Sequence, residues 1–166
     1  MKGSRHGSAT VEFPDDRDVL VTRMFDAPAE LVFDVLTKPE HVRLWFGAEE
    51  LEVCEIDLRV GGKYHFVGFV MDGDTATCSF RGTYTEIDPP FRLVGTWVFD
   101  GRPEADAVET LELREHDGVT TMTDRLTFRD RETRDSFKWA APDGVHSDEG
   151  GQVGYNRMDD YLATLG

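Results

Sequence analysis

Residues Ala107–Phe128, AVETLELREHDGVTTMTDRLTF, decide the fold. At the centre, Asp117-Gly118 is the two-residue signature of a type I′ turn, whose positive φ angles suit the twist of the flanking strands. A turn there sets His116 opposite Val119 and fixes the register outward from it. Leu113 faces Met122, Leu111 faces Asp124, Glu109 faces Leu126, and Ala107 faces Phe128. The alternate pairs are Arg114–Thr121, Glu112–Thr123, Thr110–Arg125 and Val108–Thr127, a plainly wet face, so the first set is the buried one. Two acids, Glu109 and Asp124, therefore lie on the apolar side as diagonal neighbours, roughly 7–8 Å apart at Cα. Carboxyls on a dry face pair with donors, hold a shared proton, or line a wet cavity. In a pocket they would serve as a polar anchor or a general acid/base couple. The structural alternative is that each caps a loop, meets an Arg, or reaches the wet rim of the sheet.

Working outward, more strands precede the hairpin: Leu51–Val60, Tyr64–Met71, Thr75–Ile87 and Arg92–Phe99. They are divided by the turn signals Gly61-Gly62, Asp72-Gly73-Asp74, Pro89-Pro90 and Gly101–Pro103. Connections this short imply an antiparallel meander. At Gly61-Gly62 a three-residue loop with a glycine bulge pairs Leu58 with Phe66 and Cys54 with Val70, turning Tyr64, Phe66 and Val70 inward. Leu93, Trp97 and Phe99 share one face, as do Cys78, Phe80 and Tyr84. Earlier still, Asp18–Asp26 reads as a strand. Ala27-Pro28 opens a helix with Leu31, Val32, Val35 and Leu36 on one face. Lys38-Pro39 ends it and starts a short second helix carrying Trp45 and Phe46. Beyond the hairpin come a charged segment with weak helical character (130–140) and a Gly-rich loop (142–151). The last helix, about Gln152 to Leu165, carries Tyr155, Met158, Leu162 and Leu165 as an apolar stripe. The order is β-α-α-β6-α, an α+β fold. Residues 1–17 are expected to form a flexible tail, and 18–166 a single domain.

The chain has 166 residues, with 33 Asp+Glu against 18 Lys+Arg and a net charge of −15. Length and composition suit one globular domain of the usual ~100–200 residues. The acidic balance disfavours nucleic acid, which needs clustered cations, and anionic membrane surfaces for the same reason. No run approaches the ~18 apolar residues of a membrane span, and no signal peptide is recognisable, so a cytoplasmic location is expected. Cys54 and Cys78 match no metal spacing and read as buried free thiols rather than a disulfide or metal pair. The five histidines show no ligand spacing. Gly61-Gly62-Lys63 lacks the rest of a phosphate loop, and neither a nucleophile elbow nor a dinucleotide fingerprint occurs. No cofactor and no metal are expected.

At this point the pieces resemble a family. Phe25-Asp26-Ala27-Pro28, Val32-Phe33 and Thr37-Lys38-Pro39-Glu40 are similar to the start of the START-related helix-grip (SRPBCC) superfamily. More narrowly, they resemble bacterial homologues of Aha-type chaperone ATPase activators, often grouped with polyketide cyclases. Trp45, Asp57-x-Arg59-x-Gly61-Gly62, Gly82…Glu86-Ile87-x-Pro89, Arg92-Leu93, Glu109-Thr110, Arg134-Asp135 and Gly151…Tyr155…Met158-Asp159-x-Tyr161-Leu162 continue the pattern. The match spans about residues 18–165, and the Gly-rich loop is longer than the family's. The resemblance implies a curved seven-stranded antiparallel sheet wrapped round the C-terminal helix, with a hydrophobic cavity between them. Such a cavity would hold a small hydrophobic, aromatic or lipid ligand against Trp45, Tyr64, Phe66, Phe80, Tyr84, Trp97, Phe99, Met122, Tyr155 and Met158. Glu109 and Asp124 would orient its polar group. Two other readings stand beside this one: a cyclase- or hydrolase-like enzyme using Glu109 and Asp124, and a chaperone-associated module. A homodimer is left open.

Overall fold

A computed structural model describes residues 10–46, 50–68, 78–100, 103–135 and 145–165, with 78 and 145–154 by backbone alone. The strands are β1 (Thr10–Glu12), β2 (Asp18–Phe25), β3 (Val53–Ile56), β4 (Lys63–Gly68), β5 (Cys78–Asp88), β6 (Arg92–Phe99), β7 (Ala107–His116) and β8 (Val119–Phe128). The helices are α1 (Ala29–Thr37), α2 (Pro39–Trp45), α3 (Arg131–Asp135) and α4 (Val145–Leu165). All strands join one curved antiparallel sheet in the order β1-β2-β8-β7-β6-β5-β4-β3. The β7–β8 hairpin has the expected register at every pair from Ala107↔Phe128 to His116↔Val119. Its turn residues take the positive φ angles that type I′ demands, 51° at Asp117 and 78° at Gly118.

Three expectations need correction. The sheet has eight strands, because part of the expected tail adds β1 alongside β2, pairing Val11 with Val21. A single apolar residue, Val11, packs on the core, too little to read as a strand in isolation. Arg134 of α3 then holds this segment down, donating to Asp15 O and lying over the Phe13 ring. The β3–β4 register also differs: Cys54 faces Phe66 and Ile56 faces Tyr64. The connection is longer because it adds to the sheet itself, with Gly61 N donating to Tyr84 O and Tyr84 N donating to Gly62 O. Tyr64 and Phe66 still point inward, since the register moves by an even number of residues; Val70 lies outside the described residues. Finally, the Gly-rich segment read as a loop is helical from Val145 onward. Glycine costs a helix only about 1 kcal/mol per residue, an amount the rest of the fold overrides.

The helices cover one face of the sheet. Val32, Val35, Val42, Trp45, Met158 and Leu162 join Phe25, Tyr64, Phe66, Tyr84, Leu93, Leu113 and Met122 in one core. A second cluster, Val19, Trp97, Ala105, Ala107, Leu126 and Phe128, continues it along the sheet. The Trp45 indole ties the two short helices together by donating to Val35 O at 2.8 Å, and the Thr120 hydroxyl, fully buried, donates to Ala27 O at 2.6 Å. Among the described residues no helix is long and apolar enough to cross a membrane.

Candidate functional site

The site grows from the inner face of three neighbouring strands. On β7 and β8, Glu109 faces Leu126 and Leu111 faces Asp124, so the two acids are the diagonal pair the hairpin predicts. On β2, Val21 faces Asp124 and Arg23 faces Met122, which sets Arg23 on the diagonal at the other side of Asp124. From α4, Tyr155 donates its hydroxyl to Asp124 Oδ2 at 3.4 Å, and Asp159 approaches Arg23 at 3.8 Å. Arg23 is 1% exposed and lies over the Phe25 ring, 5.4 Å from its centroid. A helix and three strands thus bring two acids, a tyrosine and an ion pair to one place inside the fold.

Arg23 and Asp159 were not among the residues sequence reasoning proposed. The signal existed: Val19, Val21, Arg23 and Phe25 alternate along β2, so Arg23 shares the inward parity of three apolar residues.

The proton inventory follows from position. Burial is the leading cause that holds the Glu109 carboxyl well above the usual range, followed by the charge of Asp124 and a hydrogen bond to it. Burial likewise pushes Asp124 up to about 6, while hydrogen bonds from Glu109 and Tyr155 pull it back. Glu109 is thus the acid that keeps its proton, and Asp124 is the acceptor. The pair is not a closed unit, however, because Asp124 Oδ1 is buried with no donor at full hydrogen-bond geometry. The Tyr155 hydroxyl is held protonated by burial, then by the charges of Asp124 and Glu109, with Arg23 opposing. Tyr64 and Tyr84 are raised by burial first and by Glu109 second. Glu109, Asp124 and Tyr155 nevertheless retain partial solvent-accessible surface.

The aromatic residues proposed from sequence form two connected sets around this cluster. Trp45, Tyr64, Phe66, Tyr84, Met122 and Met158 share the main core, and Tyr155 packs against it. Trp97 belongs to the second cluster, with Phe80 and Phe99 against it. Phe46, which sequence reading placed on a helix but not in the site, bridges them with its ring 4.9 Å from Phe66 and 5.6 Å from Phe80. Met122 and Met158 are wholly buried and Phe80 and Phe99 only partly so. On the α1 side, Phe33, Leu36, Arg92, Leu93, Leu111 and Leu113 line a shallow cleft too narrow to hold a water molecule. Leu111 stands between that cleft and Asp124. The Cys54 thiol is free, pushed up to about 11 by burial. No group of three His, Cys, Asp or Glu able to hold a metal ion exists among the described residues.

An antiparallel sheet packed against a long C-terminal helix, with polar groups on its inner face, defines a START-like helix-grip domain. The chain belongs to the family described as activator of Hsp90 ATPase homolog 1-like protein, whose model matches residues 26–163. Solved structures agree on the fold. A protein from Rhodobacter sphaeroides superposes with a TM-score of 0.80 at 22% identity, covering 95% of this chain and 99% of its own. Ms6760 from Mycobacterium smegmatis gives 0.79 at 21% identity, with coverage of 95% and 99%. DynU16, a protein of the dynemicin biosynthetic locus, gives 0.64 at 24% identity over 92% of this chain and 49% of its own. No curated protein matches the chain.

Proposed function

We propose that this domain binds a small hydrophobic or aromatic ligand between the inner face of the sheet and α4, with the ligand's polar group at Glu109 and Asp124. One observation carries the reading: Glu109, Asp124 and Tyr155 are deep enough for burial to dominate their protonation, yet each keeps accessible surface. Evolution of a pure core would replace such acids by apolar residues at little cost, whereas ligand sites characteristically set a few polar groups in an aromatic wall. Native mass spectrometry of the protein from its own host, followed by thermal shift against aromatic and lipid panels, tests it. A ligand at about 100 times its Kd adds roughly 2.7 kcal/mol, or a Tm rise of about 5–10 °C for a domain of this size. No co-purifying molecule and no shift across the panels overturns the proposal.

A second reading shares the site. A carboxylate near 6 beside an acid that keeps its proton suits proton transfer in a cyclase- or hydrolase-like reaction. Its mark in the same experiment is a panel member recovered chemically changed, and recovery of every member intact counts against it. The family's description brings a third reading, contact with a chaperone ATPase, which rests on the family alone.

A further inference from the structure

The outer face of the sheet differs in charge from the rest of the chain. On β2, β5, β6, β7 and β8 the outward side chains are those that alternate with the core residues. Among them are four arginines, Arg81, Arg92, Arg114 and Arg125, and four acids, Asp18, Glu86, Asp88 and Glu112. This face is therefore neutral, and the chain's net charge of −15 lies elsewhere. Acids that serve only to keep a protein soluble and apart from its copies would be expected here as on the other surfaces.

Most of these charges are already matched. Arg125 pairs with Asp18, and Arg92 pairs with Glu86 at 2.9 Å and with Glu112 at 3.4 Å. Arg81 is held by Asp100, at the end of β6, at 2.7 Å. Arg114 and Asp88 lie toward the strand ends and are exposed, so covering the face leaves both within reach of water. Between the charges the surface is threonine and apolar. Thr22 stands opposite Thr123, and Val108 lies between Thr96 and Thr127. Val108 and Met24 are 46% and 40% exposed, large apolar side chains open on one face. A threonine hydroxyl both donates and accepts, so a threonine surface is complementary to a copy of itself.

Size also suffices. The five strands have eight to eleven residues each. At about 4.8 Å between strands and about 3.4 Å per residue they project roughly 650 Å². Side-chain relief raises the accessible area toward the roughly 800 Å² per partner of a standard interface.

We infer that the outer face of the sheet is a homodimer interface, in which a two-fold axis sets the same face of a second copy against it. Isologous contact is the closed arrangement open to a self-complementary patch. Two chains of −15 repel over the rest of their surfaces, and on this face they approach at least electrostatic cost. With no aromatic anchor at its centre, the contact belongs in the micromolar range. The inner face and α4 are not involved, so the inference stands apart from the ligand-binding reading.

Sedimentation velocity of the full chain, from about 1 to about 200 μM in about 0.15 M salt, tests it. The 18.8 kDa monomer is expected to give way to a species of twice that mass as concentration rises. Raising salt from about 0.05 to about 0.5 M screens the net repulsion and tightens the dimer by about ten-fold. Val108→Glu and Met24→Glu each carry two carboxylates into the contact and weaken it by at least about ten-fold. Both positions are exposed, and tryptophan fluorescence checks that the variants fold. Val60→Glu, at a 67% exposed residue of the β3–β4 connection outside the face, leaves the dimer within about two-fold. A chain that stays monomeric throughout, a dimer that both face variants leave intact, or one that salt loosens overturns the inference.

Discussion

Replacing Asp124 by Asn isolates the energetic consequence of placing two acids on the inner face. The ordinary Asp value is 3.8, and Asp124 is pushed up to about 6, chiefly by burial. Below pH 3.8 the carboxyl is protonated in both folded and unfolded chains, and no penalty exists. Between 3.8 and about 6 the unfolded chain releases its proton while the folded protein holds it, so stability falls as pH rises. Above about 6 both states are ionised and the loss levels off. At about 1.4 kcal/mol per pH step, the accumulated loss is about 3 kcal/mol. Asn does not titrate, so the variant's stability relative to the natural protein should rise by about 2.4 kcal/mol between pH 4 and pH 7, the rest of the loss having accrued below pH 4. Relief of Glu109, whose carboxyl the Asp124 charge helps to hold protonated, acts in the same direction. Other carboxyls with shifted protonation, such as the surface-exposed Asp100 and Asp130, occur in both proteins and cancel in the difference. Urea titrations followed by tryptophan fluorescence, at half-unit steps from pH 4 to pH 7.5, give the two curves. A stability difference that stays flat over this range, or that shrinks as pH rises, refutes the claim that Asp124 ionises at a cost inside the fold.

Two further predictions concern its neighbours. Arg23→Ala removes the buried cation of the pair with Asp159, whose side chain is 11% exposed, and should cost about 3–5 kcal/mol in urea unfolding. Adding Asp159→Leu to Arg23→Met should recover most of that loss, since a matched apolar pair replaces a buried ion pair at little cost; a double variant as unstable as Arg23→Ala contradicts this. Tyr155→Phe removes a donor that pulls the Asp124 carboxyl down. The Asp124 midpoint, read from carboxyl carbon chemical shifts, should move above its value in the natural protein, with a stability cost of about 1 kcal/mol or less for so long a bond. A midpoint that falls, or does not move, removes Tyr155 from the cluster.

How much of this was legible depends on what each segment contains. Asp117-Gly118 admits one turn geometry, and a side-chain period of two then carries the register to both ends of β7 and β8, so Glu109 and Asp124 could be placed by counting. Gly61-Gly62 admits several loop lengths, and the one adopted depends on backbone bonds to Tyr84, a residue of another strand that no local pattern reveals. β1 was hidden for a related reason: its anchor, Arg134, lies at the far end of the chain.

Arg23 is the instructive omission, because the information needed for it was local. It occupies the inward parity of β2 between Val21 and Phe25, a place where a long cationic side chain is readily discounted as one that snorkels to the rim. Parity alone places the acids inward, and it places the arginine there too. Yet an inward acid seldom stands alone, since an uncompensated buried charge costs several kcal/mol. Once β2 is laid beside β8, Val21 faces Asp124 and Arg23 falls on the diagonal, with Asp159 then required on the helix to balance it. A charge on the inward parity of one strand is one member of a set. Asking which other inward parities carry charge leads from Asp124 to Arg23 and on to α4.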